Sequence, residues 1–163
     1  MLVGRVVAKL EPGGAQLSLL RVARVLARRG HRTRLLAGIA SPAGVDMARA
    51  HGVEPEVMGA GVDLQWQCDP AFVAWLEPRL GAVDVVHAHM LGAWWAAGHA
   101  VPAGVPLVAS EHNGYAWWGE PPWAAMAEVA ARVDRFYAHG PGARAGALRV
   151  GIPADRVRPG CRR

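Results

Sequence analysis

Lysine is almost missing from this chain. Among 163 residues there are 18 basic side chains, and all but Lys9 are arginine. Cysteine is scarce as well. Cys68 and Cys161 stand alone, at no spacing that would build a zinc site, a redox pair or a disulfide framework. The fold is therefore expected to need no disulfide, which suits the cytoplasm. No uninterrupted apolar run reaches the ~18 residues of a membrane-spanning helix. The start, Met1-Leu2-Val3-Gly4-Arg5, lacks the charged and then long apolar regions of a signal peptide, and none is expected. Two phosphate-binding signatures are also missing. There is no G-x-G-x-x-G, and no glycine-rich loop runs into Gly-Lys-Ser/Thr. No internal repeat and no low-complexity linker divides the chain, whose length fits one domain with a real core.

What is present begins with the arginines. The net charge is +5, and six arginines lie between Arg21 and Arg34. Arg21, Arg24 and Arg28 share one helical stripe, opposite an apolar stripe of Leu17, Leu20, Ala23 and Leu26 or Ala27. Such a stripe is either a solvated helix face or a surface attracted to anionic lipid headgroups or a phosphorylated acceptor. Nucleic acid is not expected, because the arginines are not interleaved with aromatics and no nucleic-acid motif is readable. The location that follows is the cytoplasm, with peripheral contact at the inner face of the membrane as a further option.

Apolar runs alternate with amphipathic ones along the whole chain. Val3 to Ala8, Thr33 to Ala37, Val53 to Met58, Val83 to His89, Val105 to Ser110 and Asp134 to Ala138 read as strands. Between them, helices are expected over Leu17 to Arg29, within Ser41 to Gly52, from Asp69-Pro70 to Leu80, over Gly92 to Ala100, over Trp123 to Arg132 and over Gly142 to Val150. Asp69 is placed to cap its helix with Pro70 at the first position. The tail after Gly151 reads as irregular and basic. This order predicts an α/β fold: a parallel sheet of six or seven strands between two layers of helices.

In such sheets ligands sit beyond the carboxyl ends of the strands, and that is where the polar residues fall. Glu11-Pro12-Gly13-Gly14-Ala15-Gln16 joins the first strand to the first helix. Two glycines let a ligand approach the backbone, and the open N–H groups of a helix start favour anionic or strongly polar groups. His87 and His89 end another strand, two apart and so on one face. A metal pair is conceivable there, but no third ligand of suitable spacing is apparent. Glu111-His112-Asn113 and His139 end two more. Four polar strand ends on one rim predict a binding crevice. Trp117, Trp118 and Trp123 crowd one loop and either stack on sugar or lipid or form a small hydrophobic cluster; Trp94 and Trp95, in a helix, read as packing.

At these residues the chain resembles a known family. The Glu11-Pro-Gly-Gly-Ala-Gln16 turn, Val83-Asp-Val-Val-His-Ala-His89, Ser110-Glu-His-Asn113 and Gly151-Ile-Pro-Ala-Asp-Arg-Val157 are similar, in order and spacing, to segments of family-4 glycosyltransferases of GT-B fold. The resemblance covers essentially the whole chain and implies a single Rossmann-like three-layer domain, residues 1–163, equivalent to the N-terminal, acceptor-side half of a GT-B fold. It implies a retaining, metal-independent transferase without cofactor, acting on a nucleotide-diphosphate sugar and a hydroxyl acceptor. His112 corresponds to the family's histidine facing the donor sugar, a role a neutral imidazole suits because it both donates and accepts. The resemblance puts Gly13 and Gly14 beside the donor. His89, Glu111, Asn113, Trp117 and Trp118 then become candidates for the acceptor side or the cleft, with Glu111 and Asn113 either orienting His112 or holding an acceptor hydroxyl. The family's C-terminal donor-binding domain has no counterpart in these 163 residues. Activity is expected only with a second domain that supplies it, from a partner chain or within a longer natural protein, and a polar- or sugar-ligand binding module or a shortened inactive relic are the alternatives.

Overall fold

The computed structural model describes residues 1–114 and 121–160. Strands and helices alternate: β1 (Leu2–Leu10), α1 (Gly14–Ala27), β2 (Arg32–Ala40), α2 (Pro42–Ala50), β3 (Pro55–Val57), α3 (Pro70–Leu80), β4 (Val85–His89), α4 (Leu91–Ala100), β5 (Leu107–Glu111), α5 (Trp123–Ala130), β6 (Val133–Ala138), α6 (Pro141–Arg149) and β7 (Val157–Pro159). The seven strands form one sheet in the order β3-β2-β1-β4-β5-β6-β7, and every neighbouring pair is parallel.

Local chemistry sets the boundaries. Asp69 accepts a hydrogen bond from the Ala71 N–H at 2.8 Å and Pro70 opens α3. Ser41 does the same for α2 through Gly44 N–H at 3.0 Å. Each replaces one of the acceptors that the first helical turn lacks. Gly30, at φ +80°, turns the chain out of α1 into β2 in a conformation that side chains with a Cβ disfavour.

Alternation along the strands sends side chains to two layers. On one face Val7, Leu35 and Ala37 pack with Leu19, Leu20 and Ala23 of α1 and Ala48 of α2. On the other, Val6, Val86, Leu107 and Phe136 pack with Phe72 and Leu76 of α3, Trp94 of α4 and Met126 of α5. Trp94 is fully buried and meets Phe136 edge to face at 6.0 Å, so it is packing, as expected.

Two expectations need correction. The buried stripe of α1 is Leu19, Leu20 and Ala23; Leu17 and Leu26 are half-buried and Ala27 is exposed. The helix is rolled toward Leu19, and a run rich in leucine and alanine does not reveal that roll. The tail is not wholly irregular either. Val157, Arg158 and Pro159 form β7 by pairing with Phe136, Tyr137 and Ala138. A three-residue edge strand has too few positions to show a period, and only its neighbour reveals it.

The chain leaves β1 toward β2 and β3, then returns through α3 to β4 on the other side of β1. Connections therefore diverge between β1 and β4, and a crevice opens beyond their carboxyl ends.

Candidate functional site

The crevice is a cleft of about 530 Å³ bordered by the Glu11–Gln16 turn, Ser18, Gln65, Met90, His112, Asn113 and His139. Its first wall is the start of α1. Gly13 is the cap residue and carries no side-chain acceptor, and no acidic residue lies in the first turn. Leu17 N–H donates to the Gly13 carbonyl at 2.9 Å, the first bond of the helix. The N–H groups before it have no helical acceptor and carry the positive end of the dipole. The turn is braced from behind. Lys9 bridges Glu11 and Asp63 at 2.9 and 3.1 Å, and Gln16 Nε2 donates to the Lys9 carbonyl at 3.2 Å. A Cβ on Gly13 would lie 2.8 Å from Gln16 Oε1, the movable end of a flexible side chain, and 3.9 Å from the nearest backbone atom, the Glu11 carbonyl oxygen.

The opposite wall comes from the ends of β5 and β6. The rings of His112 and His139 stack with centroids 3.9 Å apart and planes 15° from parallel. Glu111 Oε1 accepts from the backbone N–H groups of His112 at 3.1 Å and Asn113 at 3.3 Å. Glu111 is itself 0% exposed. It points with Leu107 and Ala109 to the inner face of the strand, so it braces the backbone of His112 and Asn113 and shows no surface to the cleft.

His89 lies one layer beneath the cleft. It is 6% exposed and borders a void of about 10 Å³ that Gln16 and Gln65 also line. Its ring is 4.1 Å from His87 and 6.1 Å from His112. Both strand histidines do share a face, and that face holds Arg5, which the sequence pattern gives no reason to notice. The Arg5 guanidinium, 2% exposed, donates to His87 Nδ1 at 3.1 Å and approaches His89 Nε2 at 3.5 Å. With Nδ1 accepting, His87 keeps its proton on Nε2 and donates to Ser110 Oγ at 2.7 Å. A guanidinium already fills the space between the two imidazoles, where a shared metal ion would have to sit. Among the described residues no three histidine, cysteine or carboxylate side chains converge as a metal-binding group.

Four imidazoles and one arginine thus run from the sheet to the cleft, and burial keeps the imidazoles neutral. His112 is pushed down to about 4 by burial and by nearby His139. His87 falls to about 3 through burial, Arg5 and the other histidines; His89 lies well below its usual value for the same reasons, and His139 is lowered by burial. Burial also lowers Arg5, to about 10, which still leaves it charged at neutral pH. The Nε2 atom of His112 is buried and has no hydrogen-bond partner among the described residues. The cleft therefore offers backbone N–H donors on one side and a neutral imidazole on the other. Phosphate oxygens and sugar hydroxyls are the groups such a pair can hold.

Trp117 and Trp118 lie outside the described residues. Trp123 opens α5 under the Arg149 guanidinium, 4.2 Å from the ring centroid, and packs against the core. Sequence reasoning missed three bordering residues, Ser18, Gln65 and Met90. Gln65 sits in a loop with no periodic signal. Met90, at φ 71°, is the one non-glycine residue with positive φ among those described. Such backbone costs about 1–3 kcal/mol and recurs where ligands bind.

Residues 12–159, from the turn through β7, match the model of Glycosyltransferase Family 4. The chain belongs to that family. Every candidate residue of the cleft from Pro12 onward falls within the match. No curated protein matches the chain. Among solved structures, this family-4 domain is similar to HepE from Anabaena in complex with UDP, at 17% identity and a TM-score of 0.76, over 97% of this chain and 43% of that one. It is similar to UDP-GlcNAc 2-epimerase from Neisseria meningitidis bound to UDP-GlcNAc, at 16% identity and a TM-score of 0.65, over 98% of this chain and 46% of the other. It is also similar to MurG from Acinetobacter baumannii, at 16% identity and a TM-score of 0.53, over 87% and 42%. At these identities the likeness is one of fold, that of GT-B domains, and the chain spans less than half the length of each. Among the described residues no helix is long and apolar enough to cross a membrane.

Proposed function

We propose that this family-4 domain is the acceptor-side half of a glycosyltransferase moving a sugar from a nucleotide-diphosphate sugar to a hydroxyl. The observation that carries the reading is the cleft itself, where the uncapped start of α1 faces the His112–His139 stack across the point of divergence between β1 and β4. Solved structures of similar fold are described with UDP, with UDP-glucose and with UDP-GlcNAc, which supports a nucleotide sugar as the ligand class.

In this reading the Gly13-Gly14 backbone meets the donor's diphosphate or its sugar. The His112 imidazole hydrogen-bonds the sugar while the bond to the leaving diphosphate loosens, and Asn113 reaches the acceptor hydroxyl. Trp117 and Trp118 contribute aromatic faces for stacking on the acceptor. His89 and Glu111 act by positioning. A neutral His112 keeps a positive charge away from the carbon on which positive charge develops. Residues 1–163 form one wall of the site, and a C-terminal donor-binding domain, in a longer protein or a partner chain, supplies the other. We assign the domain to the cytoplasm and its reaction to chemistry without metal or cofactor.

Orientation of two bound substrates is worth about 7–11 kcal/mol of barrier, and one wall alone does not provide it. Radiolabelled sugar transfer tests the reading. The 163-residue chain alone should give background turnover, a partner carrying a C-terminal domain should raise it, and His112→Ala should then lower it. Robust turnover by the chain alone would overturn the assignment. Donor binding that no C-terminal partner converts into turnover would make the domain a sugar-binding module instead.

A further inference from the structure

Helix α1 contains no acidic residue, and its inner stripe is short. Steps of 100° per residue place Arg21, Arg24, Arg28 and Val25 on the outward side, with Val22 at its flank, and all five are exposed. Val22 and Val25 are 45% and 40% exposed, two of only six large apolar side chains that the described residues leave open to this degree. The pattern continues past the helix. Arg29 and Arg32 are exposed, and Arg32 N–H donates to the Met1 carbonyl at 2.9 Å, which brings exposed Met1 alongside.

None of these five arginines lies within ion-pair distance of a carboxylate among the described residues. Elsewhere the same protein pairs its surface arginines, Arg34 with Glu56 at 2.6 Å and Arg49 with Glu54 at 2.8 Å. Arg21–Arg24 and Arg24–Arg28 are like-charge neighbours three and four residues apart, an arrangement that weakens a helix. The helix dipole favours Arg24 and Arg28 at the C-terminal end, but no carboxylate among the described residues offsets their repulsion, and an anionic partner outside the domain would. The exposed valines identify which kind. Nucleic acid rewards the arginines alone, whereas the boundary between lipid headgroups and acyl chains rewards both.

We propose that the outward face of α1 is a docking surface for an anionic lipid bilayer. The helix, about 21 Å long, lies in the headgroup plane. Val22 and Val25 dip toward the acyl boundary, and Arg21, Arg24 and Arg28 contact lipid phosphates. The cleft opens at the N-terminus of the same helix, so docking holds its mouth near the membrane plane. The surface does not depend on the sugar-transfer reading and stands if the cleft proves to be a binding module.

Vesicle flotation with the 163-residue chain tests it, using phosphatidylcholine alone and phosphatidylcholine with about one-third phosphatidylglycerol at moderate salt. The chain should float with the anionic vesicles only, and added salt should release it. Arg21→Gln/Arg24→Gln/Arg28→Gln should lower the partition coefficient about a hundredfold, at about a factor of five per arginine. Val22→Ser/Val25→Ser should lower it several-fold, while Arg49→Gln should leave it unchanged. Thermal melting of each variant checks that it is folded, which substitutions at exposed positions permit. Failure to bind anionic vesicles, or a triple variant that binds like the original, would overturn the proposal. So would equal affinity for duplex DNA or polyglutamate with no effect of the valine changes, which would mark a surface for another polyanion.

Discussion

The ring of His112 lies flat on the ring of His139, centroids 3.9 Å apart, although the two residues end different strands. Two stacked imidazoles this close cannot both carry a proton at modest cost, and burial adds to the penalty. Behind them His87 and His89 sit against the buried Arg5, so the cluster tolerates no further positive charge.

Acid should therefore weaken the fold. The folded-state values of His87 and His112, about 3 and about 4, lie below the ordinary 6.5. Between these limits the unfolded chain binds more protons than the folded one, so stability is full above pH 6.5 and falls as pH drops toward the folded-state values. Each deeply buried histidine contributes a slope of about 1.4 kcal/mol per pH unit in that window. Melting temperature measured from pH 7.5 down to 4.5 should decline, and His87→Asn should flatten the decline. A flat profile would mean that the histidines are not held neutral.

Among the described residues Arg5 is a buried cation bound by imidazoles, so exchanging it for a long apolar side chain removes a desolvation cost. Arg5→Met should change stability by no more than about 1 kcal/mol in urea denaturation, or raise it. Arg5→Ala should cost more, because it also leaves a cavity. NMR titration of Arg5→Met should show His87 moving up from about 3, since one of the charges depressing it is gone. An unchanged His87 would contradict the contact.

Glu111 holds the loop that carries His112 and Asn113. Glu111→Ala should cost about 1–3 kcal/mol by leaving backbone donors without their acceptor. Glu111→Gln keeps a carbonyl oxygen and should recover part of the loss. Amide hydrogen exchange at His112 and Asn113 reports the effect locally, and unaltered exchange in the alanine variant would argue against this role.

Gly92 permits α4 to begin directly against the loop that lines the cleft. Its N–H donates to the Gln65 carbonyl at 2.9 Å, and an added Cβ would collide with the Leu64 carbonyl. Gly92→Ala should destabilise by at least the 1–3 kcal/mol typical of overpacking, because the obstacle is backbone and cannot rotate away. A urea midpoint equal to the original would show that the loop gives way freely.

Much of the architecture was legible in the chain. Short β-branched runs alternating with amphipathic stretches determine a parallel sheet between helices, because only that arrangement buries both faces of such strands. Asp69-Pro70 and the Gly13-Gly14 turn mark helix starts by local chemistry alone, and the polar residues after the strands of His89, Ser110 and Ala138 mark the rim. Which rim residues border the cleft was decided only by tertiary structure. Glu111 and His112 are adjacent in sequence, yet strand alternation buries one and turns the other to the cleft. Arg5 looks like one more arginine until register sets it opposite His87. Met90 and Gln65 reach the cleft, and Val157 to Pro159 become a strand, because of neighbours distant in sequence. Periodicity records the burial of a face, a sum over many residues that the sequence carries; a site is the convergence of a few side chains, and the packing of the elements sets that.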